Sequence, residues 1–379
     1  MMVRPATEAD LPFIVDAYRL AFAFGEARTR RYVETTGLDC FRILETGGQR
    51  AAALAIIACG HWFGGRIVPA ANIAHVAIQP EFRGTGLTGD LLELSCEEAR
   101  KGGASIVSLF ASTRPVYRRA GFGLAGVESV YEAETAELYK VRQEVRCRRV
   151  PLTEARAALE PIHQRACLHE SGVLARHDAH WNSHLDEGRG EPHVFVFGDE
   201  EGYAIIDTSD SGRVELRDWT ALNGAAARQI LKFIGTFSTV YPKVRWHGAP
   251  HDALVFAMPD KGWALVHQEE FLMKILDPEA ALSARGYACA DAALTLAIEG
   301  ERRRLLRLSI QAGRGNCTTG EEHGAADLTI AQSQLPALFS GFRSATFLRR
   351  AGLASGSDDA VAMAERIFSG PPPWVGEHF

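Results

Sequence analysis

The sequence predicts a mixed α/β fold that is divided over two or three domains. Apolar strand-like segments alternate with amphipathic helical segments, which is the order that builds a sheet covered by helices. The chain has 379 residues, 46% of them hydrophobic, so it can form more than one core. A strand-then-helix order occurs around residues 73–101 and again over residues 194–237, and further strands and helices follow residue 271.

The first domain is predicted at residues 1–128 and opens with a short strand at residues 3–6. Thr7 and Asp10 form a capping-box-like start for an amphipathic helix. The apolar face of that helix consists of Leu11, Ile14, Val15, Tyr18 and Phe22. The next predicted elements are strands at 41–44, 51–58 and 75–78, a helix at 88–101 that two glycines end, and a strand at 104–110.

The second domain is predicted at residues 129–268 and the third at residues 269–379. Because the second domain repeats the strand-then-helix order of the first, it is a candidate duplicate. Its strands are predicted at 194–197, 202–207 and 213–219, and its main helix at 225–237. The third domain has predicted helices at 279–285, 332–339 and 359–368, strands near 294–298, 305–310 and 328–330, and a proline-stiffened tail at 371–379.

Residues 73–92 carry the strongest functional signal. They run from an apolar strand through the turn Arg83-Gly84-Thr85-Gly86 into a helix start. Backbone N–H groups at such a turn and at the first helical turn point the same way, and the helix dipole adds positive charge. The segment therefore predicts an anion site, although an ordinary strand-to-helix connection is the alternative. It is neither a Walker loop nor a dinucleotide fingerprint.

The order Val-x-Ile-x-Pro-x-x-Arg-Gly-x-Gly-Leu in this segment resembles the acetyl-CoA loop of the GNAT N-acetyltransferase superfamily. Thr88 departs from that pattern, because the superfamily usually has Gly or Ala there. In the second domain, Asn223-Gly224 stands where the loop would be, so no acetyl-CoA site is expected in that domain.

Downstream of the anion loop, Tyr117 lies in a turn that follows the next predicted strand. A tyrosine hydroxyl, with an ordinary pKa near 10, is protonated at neutral pH and can act as general acid toward a leaving thiolate. The alternative is a packed tyrosine whose hydroxyl is hydrogen-bonded.

Three features together resemble the enhanced intracellular survival (Eis) acetyltransferases. They are the anion loop followed by Tyr117, a second acetyltransferase-like unit without the loop, and a third unit that ends in phenylalanine. The resemblance spans nearly the whole chain. It implies tandem GNAT folds with a sterol-carrier-like domain, assembly as hexamers, and direct acetyl transfer from acetyl-CoA to primary amines such as aminoglycosides or lysine-like acceptors.

The same resemblance implies Tyr117 as general acid and the terminal carboxylate of Phe379 as general base. An α-carboxylate with an ordinary pKa of about 3.5 needs burial or a relaying water for that role, and a frayed terminus is the alternative. The implied acetyl-CoA contacts are Val76, Ile78, Arg83, Gly84, Gly86, Leu87, Thr88 and Ser112.

An aromatic and acidic lining for a cationic substrate is predicted at Phe24, Glu26, His75 and Glu377. Each of these residues could instead be simple packing or a solvated charge. His177, His180 and His184 have the spacing of one helix face. No metal site is expected there, because zinc ligands usually converge from several elements. We expect Trp181 and Leu185 to pack while the histidines face solvent or another subunit.

Composition and cysteine spacing limit the classes of partner and metal site that we expect for this protein. The net charge of −6, with both signs mixed along the chain, argues against nucleic acid as a partner. Seven cysteines without C-x-x-C spacing predict neither a disulfide framework nor a zinc knuckle. The longest apolar run, residues 51–59, falls short of the roughly 20 residues that cross a bilayer, and no signal pattern is present, so we expect a cytoplasmic protein without a membrane partner.

Two other functions are compatible with these patterns. The protein could be a binding module whose C-terminal domain takes up an apolar ligand while the acyl-CoA site only senses CoA. It could also be an inactive paralogue kept for assembly, an idea that Thr88 supports.

Overall fold

The computed structural model describes residues 1–258, 261–321 and 323–379. One large mixed sheet carries the first two units of the chain, and a separate five-stranded sheet carries the third. Helices flank both sheets, which confirms the predicted mixed α/β fold.

The first unit contains six strands and four helices within the described residues. Its strands are β1 (Met2–Pro5), β2 (Phe41–Thr46), β3 (Gln49–Phe63), β4 (Arg66–Ile78), β5 (Ile106–Phe110) and β6 (Gly123–Glu134). Its helices are α1 (Leu11–Phe22), α2 (Glu26–Thr36), α3 (Leu87–Lys101) and α4 (Arg114–Arg119). The predicted capping box forms, because Thr7 Oγ1 lies 2.8 Å from Asp10 Oδ2 and the Thr7 N–H donates to the same carboxylate.

The second unit repeats this order. Its strands are β7 (Cys147–Val150), β8 (Leu174–Ala175), β9 (Pro192–Phe197), β10 (Gly202–Asp207), β11 (Arg213–Ala221), β12 (Lys243–His247) and β13 (Trp263–Ile275). Its helices are α5 (Thr135–Leu138), α6 (Leu152–Cys167), α7 (Asp178–Leu185), α8 (Gly224–Gly235) and α9 (Ala253–Ala257).

The third unit packs four helices on its own sheet. Its strands are β14 (Asp291–Glu299), β15 (Arg304–Gln311), β16 (Arg314–Thr319), β17 (Leu328–Ala331) and β18 (Ala354–Gly356). Its helices are α10 (Pro278–Ala284), α11 (Leu335–Ser340), α12 (Ala345–Arg350) and α13 (Asp358–Phe368). Leu296, Leu306, Phe339 and Ile367 are fully buried between the layers, so side chains fill the interior of this unit.

The first two units exchange their last strands. In the large sheet the order is β1-β2-β3-β4-β5-β13-β6-β12-β11-β10-β9-β7, with β8 paired to β3. Strand β13 of the second unit therefore lies beside β5 of the first, while β6 of the first lies beside β12 of the second. Because hydrogen-bonded ladders cross between them, the two units form one continuous sheet.

The exchanged strands cross the predicted domain boundaries. The boundary predicted between residues 128 and 129 falls inside β6, which pairs with strands of the second unit along most of its length. The boundary predicted between residues 268 and 269 falls inside β13, and residues 271–275 pair with β5. The third unit therefore starts after Ile275, and its tail, residues 370–379, leaves it again to pack on the first two units.

Strands β4 and β5 diverge halfway along their length. Their parallel pairing covers only Ala70–Asn72 of β4. Beyond it, the register between β3 and β4 shifts so that two residues of β4, His75 and Val76, stand opposite one residue of β3, and His75 has a positive φ of 51°. Such a bulge bends and twists the strand that carries it, which opens a gap between β4 and β5.

His177, which precedes α7, is exposed as we predicted, but the two histidines within α7 are not exposed. Trp181 is fully buried, as expected, but His180 is also buried, and its Nε2 lies 2.9 Å from Asn72 Oδ1. His184 Nδ1 lies 3.1 Å from the Arg217 carbonyl oxygen. Within the described residues no group of three or more His, Cys, Asp or Glu side chains could hold a metal ion.

All seven cysteines are free. Four of them are buried, and Cys147 is exposed. Among the described residues, no helix combines the length and the apolar character that crossing a membrane requires.

Candidate functional site

The anion loop joins β4 to α3 at the mouth of the gap between β4 and β5. Gly84 and Gly86 have φ values of 78° and 89°, a region in which a side chain is strained. An added Cβ at either glycine would meet no atom within 4 Å, so the loop borders open space. Gly86 caps α3 without a side-chain hydrogen bond, which leaves the N–H groups of Leu87 and Thr88 available to a ligand, while the Gly89 N–H donates to the Gly86 carbonyl oxygen.

Arg83 stabilises the turn from the side. Its Nε donates to the Ile78 carbonyl oxygen at 3.1 Å, and its Nη2 lies 3.4 Å from the Leu20 carbonyl oxygen. The side chain is exposed, so its positive charge lies beside the loop. Thr88 occupies the second position of α3 and is half-buried.

These features fit an acyl-CoA. The uncapped start of α3 and Arg83 suit a pyrophosphate. Val76 and Ile78 lie on the part of β4 that no longer pairs with β5, and an unpaired strand edge offers N–H and C=O groups to the amides of a pantetheine arm. Ser112 is exposed between β5 and α4, at the opposite side of the gap.

Tyr117 lies on α4, which follows β5 closely in sequence. It is 5% exposed, and its ring centroid lies 6.1 Å from that of Phe122 in an edge-on arrangement. Its hydroxyl makes no hydrogen bond within the described part of the chain. Burial raises the pKa of Tyr117 above its ordinary value, so the hydroxyl is protonated at neutral pH.

The C-terminal tail is bound to the junction of the first two units. Val127 of β6 donates its N–H to the Pro373 carbonyl oxygen at 3.2 Å, and Val375 donates to the Val127 carbonyl oxygen at 3.0 Å. The indole N–H of Trp374 donates to Glu170 at 2.9 Å. Gly126 must lack a side chain, because an added Cβ would lie 2.6 Å from the Pro373 carbonyl oxygen.

The last two residues lie against the end of β5. The ring of Phe379 is 5.2 Å from that of Phe110, and Phe379 is 7% exposed. The imidazole of His378 stacks on the same Phe110 ring at 4.3 Å. Phe379 therefore lies at the end of β5, whereas Tyr117 packs with Phe122 in a different core cluster, and no hydrogen bond or ring contact joins the two residues within the described part of the chain.

Glu128 holds His378 in this position. Its carboxylate, 2% exposed, lies 3.0 Å from His378 Nδ1 and 3.0 Å from His247 Nδ1. Burial alone would raise the pKa of Glu128, but the two histidines outweigh it and lower the pKa to about 2. Burial likewise opposes the charge of His378, and Glu128 raises the pKa of His378 above its ordinary value.

The carboxylate of Glu377 is held in a buried ion pair. Arg176 Nε lies 2.5 Å from Glu377 Oε1, and the Arg176 Nη atoms lie 2.6 and 2.9 Å from the two oxygens of Asp218. All three side chains are less than a tenth exposed. Glu377 is thus neutralised by Arg176, and its predicted role as a ligand for a substrate cation is not favoured by this arrangement.

Aromatic rings surround His75. The ring centroids of Tyr32, Phe24, Phe22 and Tyr18 lie 4.5, 5.4, 5.4 and 5.7 Å from that of His75. Burial, together with the nearby charges of His378 and Arg28, lowers the pKa of His75 to about 4, so the imidazole is neutral at physiological pH. Its Nδ1 is buried without a hydrogen-bond partner within the described residues.

Glu26 lies at the start of α2, just after Phe24. Its carboxylate is largely exposed and lies 2.8 Å from Arg30 Nε. The guanidinium of Arg28 covers Phe24 at 3.8 Å from the ring centroid. Both signs of charge therefore lie beside the aromatic cluster around His75.

Sequence reasoning missed Glu128, His378, Arg176 and Asp218. Glu128 carried a signal, because a carboxylate directly after the apolar segment 124–127 of β6 is unusual for a buried strand. His378 and Arg176 carried none, since their partners are 250 and 201 residues away in sequence.

Comparison with known proteins agrees with the division into three units. An acetyltransferase (GNAT) domain model matches residues 2–125, a second acetyltransferase (GNAT) domain model matches residues 172–275, and a sterol carrier protein domain model matches residues 278–376.

Relatives cover most of the chain. An uncharacterized N-acetyltransferase of Streptomyces griseus is 26% identical over 354 residues, which are 83% of each chain. The N-acetyltransferase Eis of Mycobacterium tuberculosis is 26% identical over 305 residues, which are 75% of this chain and 74% of the relative. The crystal structure of a GCN5-related N-acetyltransferase from Anabaena variabilis covers 100% of both chains with a TM-score of 0.93 and 26% identity.

The fold and the site thus define a GNAT N-acetyltransferase, a class that uses acetyl-CoA, with a sterol carrier protein domain at its C-terminus. Within that class the chain is an Eis-like acetyltransferase, because tandem GNAT domains precede the sterol carrier domain and Eis aligns with three quarters of its length.

Proposed function

We propose that the protein transfers an acetyl group from acetyl-CoA directly to a primary amine bound in the aromatic pocket around His75. Tyr117 acts as general acid and the terminal carboxylate of Phe379 as general base. The observation that carries the proposal is the burial of Phe379 against Phe110, which brings the end of the chain to the end of β5.

The loop after β4 supports binding of the nucleotide part of the cofactor. Gly84, Gly86, Leu87 and Thr88 offer backbone N–H groups to the pyrophosphate, and Arg83 offers its charge. Val76, Ile78 and Ser112 border the gap that would take the pantetheine arm. Acetyl-CoA supplies a thioester whose acyl carbon is open to attack by an amine.

Tyr117 has the properties of a general acid. Burial keeps its hydroxyl protonated, and this hydroxyl has no partner of its own within the described residues, so it is free to donate to a developing thiolate. A structural role for the hydroxyl is not supported, because it stabilises no other group.

The end of the chain has the properties of a base. No cation pairs with the Phe379 carboxylate within the described residues, while the neighbouring carboxylates of Glu128 and Glu377 are paired. An unpaired carboxylate in a largely buried position can accept a proton from an alkylammonium directly or through a water.

The aromatic pocket supports an ammonium-bearing acceptor. Phe24 and the tyrosines present π faces to a cation. His75 is neutral, and in the tautomer with the proton on Nε2 its buried Nδ1 can accept a hydrogen bond from the amine. Glu26 on the rim can attract further amino groups, which suits multi-amine acceptors such as aminoglycosides as well as lysine-like amines.

The test is release of free CoA thiol from acetyl-CoA in the presence of a panel of aminoglycosides and polyamines. Two variants separate the carboxylate of the last residue from its ring. Deleting Phe379 removes both, and appending one glycine keeps the ring but moves the carboxylate. The proposal expects both variants to lose turnover by about 100-fold or more while acetyl-CoA affinity stays within a few-fold.

A matched change provides the control. Phe379→Leu keeps the terminal carboxylate and an apolar side chain, so it should retain most of the turnover. Full activity of the glycine-extended protein would exclude the terminal base. Binding of acetyl-CoA without turnover by the intact protein, on any amine, would instead favour the sensor or scaffold function.

The role of Tyr117 is tested by Tyr117→Phe. We expect kcat to fall by about 10²- to 10³-fold with little change in KM or thermal stability, because the hydroxyl serves only the reaction. Tyr139→Phe is the control, since Tyr139 is 55% exposed in the second unit. Equal activity of both variants would overturn the assignment.

A hexameric assembly remains part of the proposal. The exposed start of β13 supports association of copies, because Trp263, Leu265 and Val266 are all more than a third exposed there. Light scattering of the purified protein measures the mass of the assembly, and a monomer would contradict the hexamer without affecting the proposed chemistry.

A carrier function of the third unit is less well supported. Its interior is filled by aliphatic and aromatic side chains, including Leu308 and Phe339. A lipid tunnel would require these side chains to move apart.

A further inference from the structure

The second unit repeats the cleft of the first. Its β11 pairs in parallel with β12 only from Arg213 to Leu216, and the strands then diverge. The register between β10 and β11 shifts at the same level and leaves Arg217 as the extra residue. A bulge followed by divergence is the same arrangement that opens the acetyl-CoA gap between β4 and β5.

This second cleft lacks a phosphate site. The helix that follows β11 is capped by its own side chain, because Asn223 Oδ1 accepts from the Ala226 N–H at 2.9 Å. No arginine precedes Asn223 in the turn, which contains Leu222 instead. The site therefore cannot hold a pyrophosphate in the way that the first unit does.

The cleft contains a cavity. Its volume is about 100 Å³. It is lined by Trp219 of β11, by Asp252 in the segment after β12, and by Glu170 in the turn after α6. Trp374 and Glu377 of the C-terminal tail also line it.

The cations that line the cavity already have anionic partners. Arg176 pairs with Asp218 and Glu377, and Arg217 Nε lies 3.0 Å from Asp207 Oδ2. The carboxylates are not balanced in the same way, because two of them, Glu170 and Asp252, form no ion pair within the described residues. Glu170 accepts the indole N–H of Trp374, and the charge of nearby His169 acts on it only at longer range.

Of these two carboxylates, Asp252 gives the stronger indication of a cation site. It is 1% exposed, and its Oδ1 accepts from the Val255 N–H at 3.0 Å. Its Oδ2 is buried without a hydrogen bond, although Trp246, whose Nε1 is also unpaired, lies beside it. Burial raises the pKa of Asp252 to about 7, and the charge of Glu170 is near enough to contribute to that rise. A buried carboxylate oxygen without a partner is costly, and a cationic donor would remove the cost.

We propose that this cavity binds a small organic ammonium ion, with the ammonium group at Asp252 and Glu170 and the apolar part against Trp219 and Trp374. The two indole rings offer both apolar area and π faces to such a cation. The site does not depend on the acetyl-transfer reaction proposed above.

The test is calorimetric titration of the full-length protein with benzylammonium in the absence of acetyl-CoA, so that no turnover occurs. Asp252→Asn keeps the Oδ1 acceptor that caps α9 and removes the charge. Glu170→Gln is the second variant. Each variant should weaken the binding of benzylammonium in this cavity about tenfold or more. Benzyl alcohol, the uncharged analogue, should bind at least tenfold more weakly than benzylammonium.

Two controls locate the site. Glu187→Gln changes an exposed carboxylate of the same unit and should leave the affinity unchanged. Phe24→Ala changes the aromatic pocket of the first unit, so it should affect only binding at that pocket. Unchanged affinity in both Asp252→Asn and Glu170→Gln, equal binding of benzyl alcohol, or loss of all binding in Phe24→Ala would each overturn the proposal.

Because no acetyl transfer is measured, failure of this test is distinguishable from failure of the proposed enzyme activity. An inactive protein that still binds benzylammonium through Asp252 would support the cavity site alone.

Discussion

Nδ1 of His378 lies 3.0 Å from Oε2 of Glu128, and the two residues are 250 positions apart in the chain. The contact joins the penultimate residue to the strand that both units share. Since Phe379 follows His378 directly, the position of the terminal carboxylate depends on this pair.

Replacing Glu128 should release the tail. In Glu128→Gln the charge that pairs with His378 is lost, so the Phe379 carboxylate is no longer held in place. We expect turnover to fall by about tenfold to a hundredfold, as it does when a reacting group is misplaced, while the affinity for acetyl-CoA changes little. Steady-state kinetics with acetyl-CoA titrations measures both. Glu132→Gln, on the same strand but paired with Lys243 at the surface, should stay near full activity. Equal loss in both variants would indicate damage to β6 rather than to the tail.

Tail docking should weaken at alkaline pH. The folded-state pKa of His378 is raised, so the stabilisation from its pair is complete below the ordinary histidine pKa near 6.5 and is lost as the pH rises through the raised value. Glu128, with a pKa of about 2, stays charged throughout this window. Release of Phe379 by a carboxypeptidase, corrected with a free peptide, should therefore accelerate as the pH rises above the ordinary histidine pKa of about 6.5. The same acceleration in Glu128→Gln would assign the effect to another group.

The glycine turn offers a matched pair of substitutions. Gly86→Ala places a side chain at a φ of 89°, which costs about 1–2 kcal/mol, and the distorted turn should weaken acetyl-CoA binding about tenfold. Gly89→Ala lies within α3 at an ordinary helical φ with open space around it, so it should leave affinity unchanged and stabilise the helix slightly. Fluorescence or calorimetric titration with acetyl-CoA gives both affinities. Equal affinities of the two variants would rule out a role for the turn geometry.

Arg176 should be important for stability. Arg176→Met leaves Asp218 and Glu377 buried without a cation, which should lower the free energy of unfolding by about 3–5 kcal/mol. Urea unfolding at neutral pH measures the change. Arg100→Met removes an exposed pair with Glu97 and should have no measurable effect, so similar losses in the two variants would contradict the importance of the buried network.

Local patterns predicted the elements of the chain more reliably than its long-range pairing. Three elements depend only on residues a few positions apart, so they could be predicted directly from the sequence. They are the capping box at Thr7, the strand Gly202–Asp207 and the loop into α3. The exchange of β6 and β13 could not be predicted from the sequence. The apolar pattern of each strand is compatible with either neighbour, and only the assembled sheet determines which strands pair.

The same limit applies to the site. Gly84, Gly86 and Tyr117 stand within one continuous segment, and their residue types suggested a chemistry. The partners of Glu377 and His378 come from distant parts of the sequence, so a carboxylate expected to bind substrate is instead paired with Arg176.

The exchanged strands also constrain the order of events during synthesis. Domains commonly fold one after another as they leave the ribosome, N-terminal first. Here β5 exposes a bare edge until β13 has been translated, and bare edges attract other chains. The nascent N-terminal half therefore stays incomplete and prone to aggregation until β13 has been synthesised. An early stop codon anywhere before β13 would leave an unfinished sheet and not a smaller enzyme.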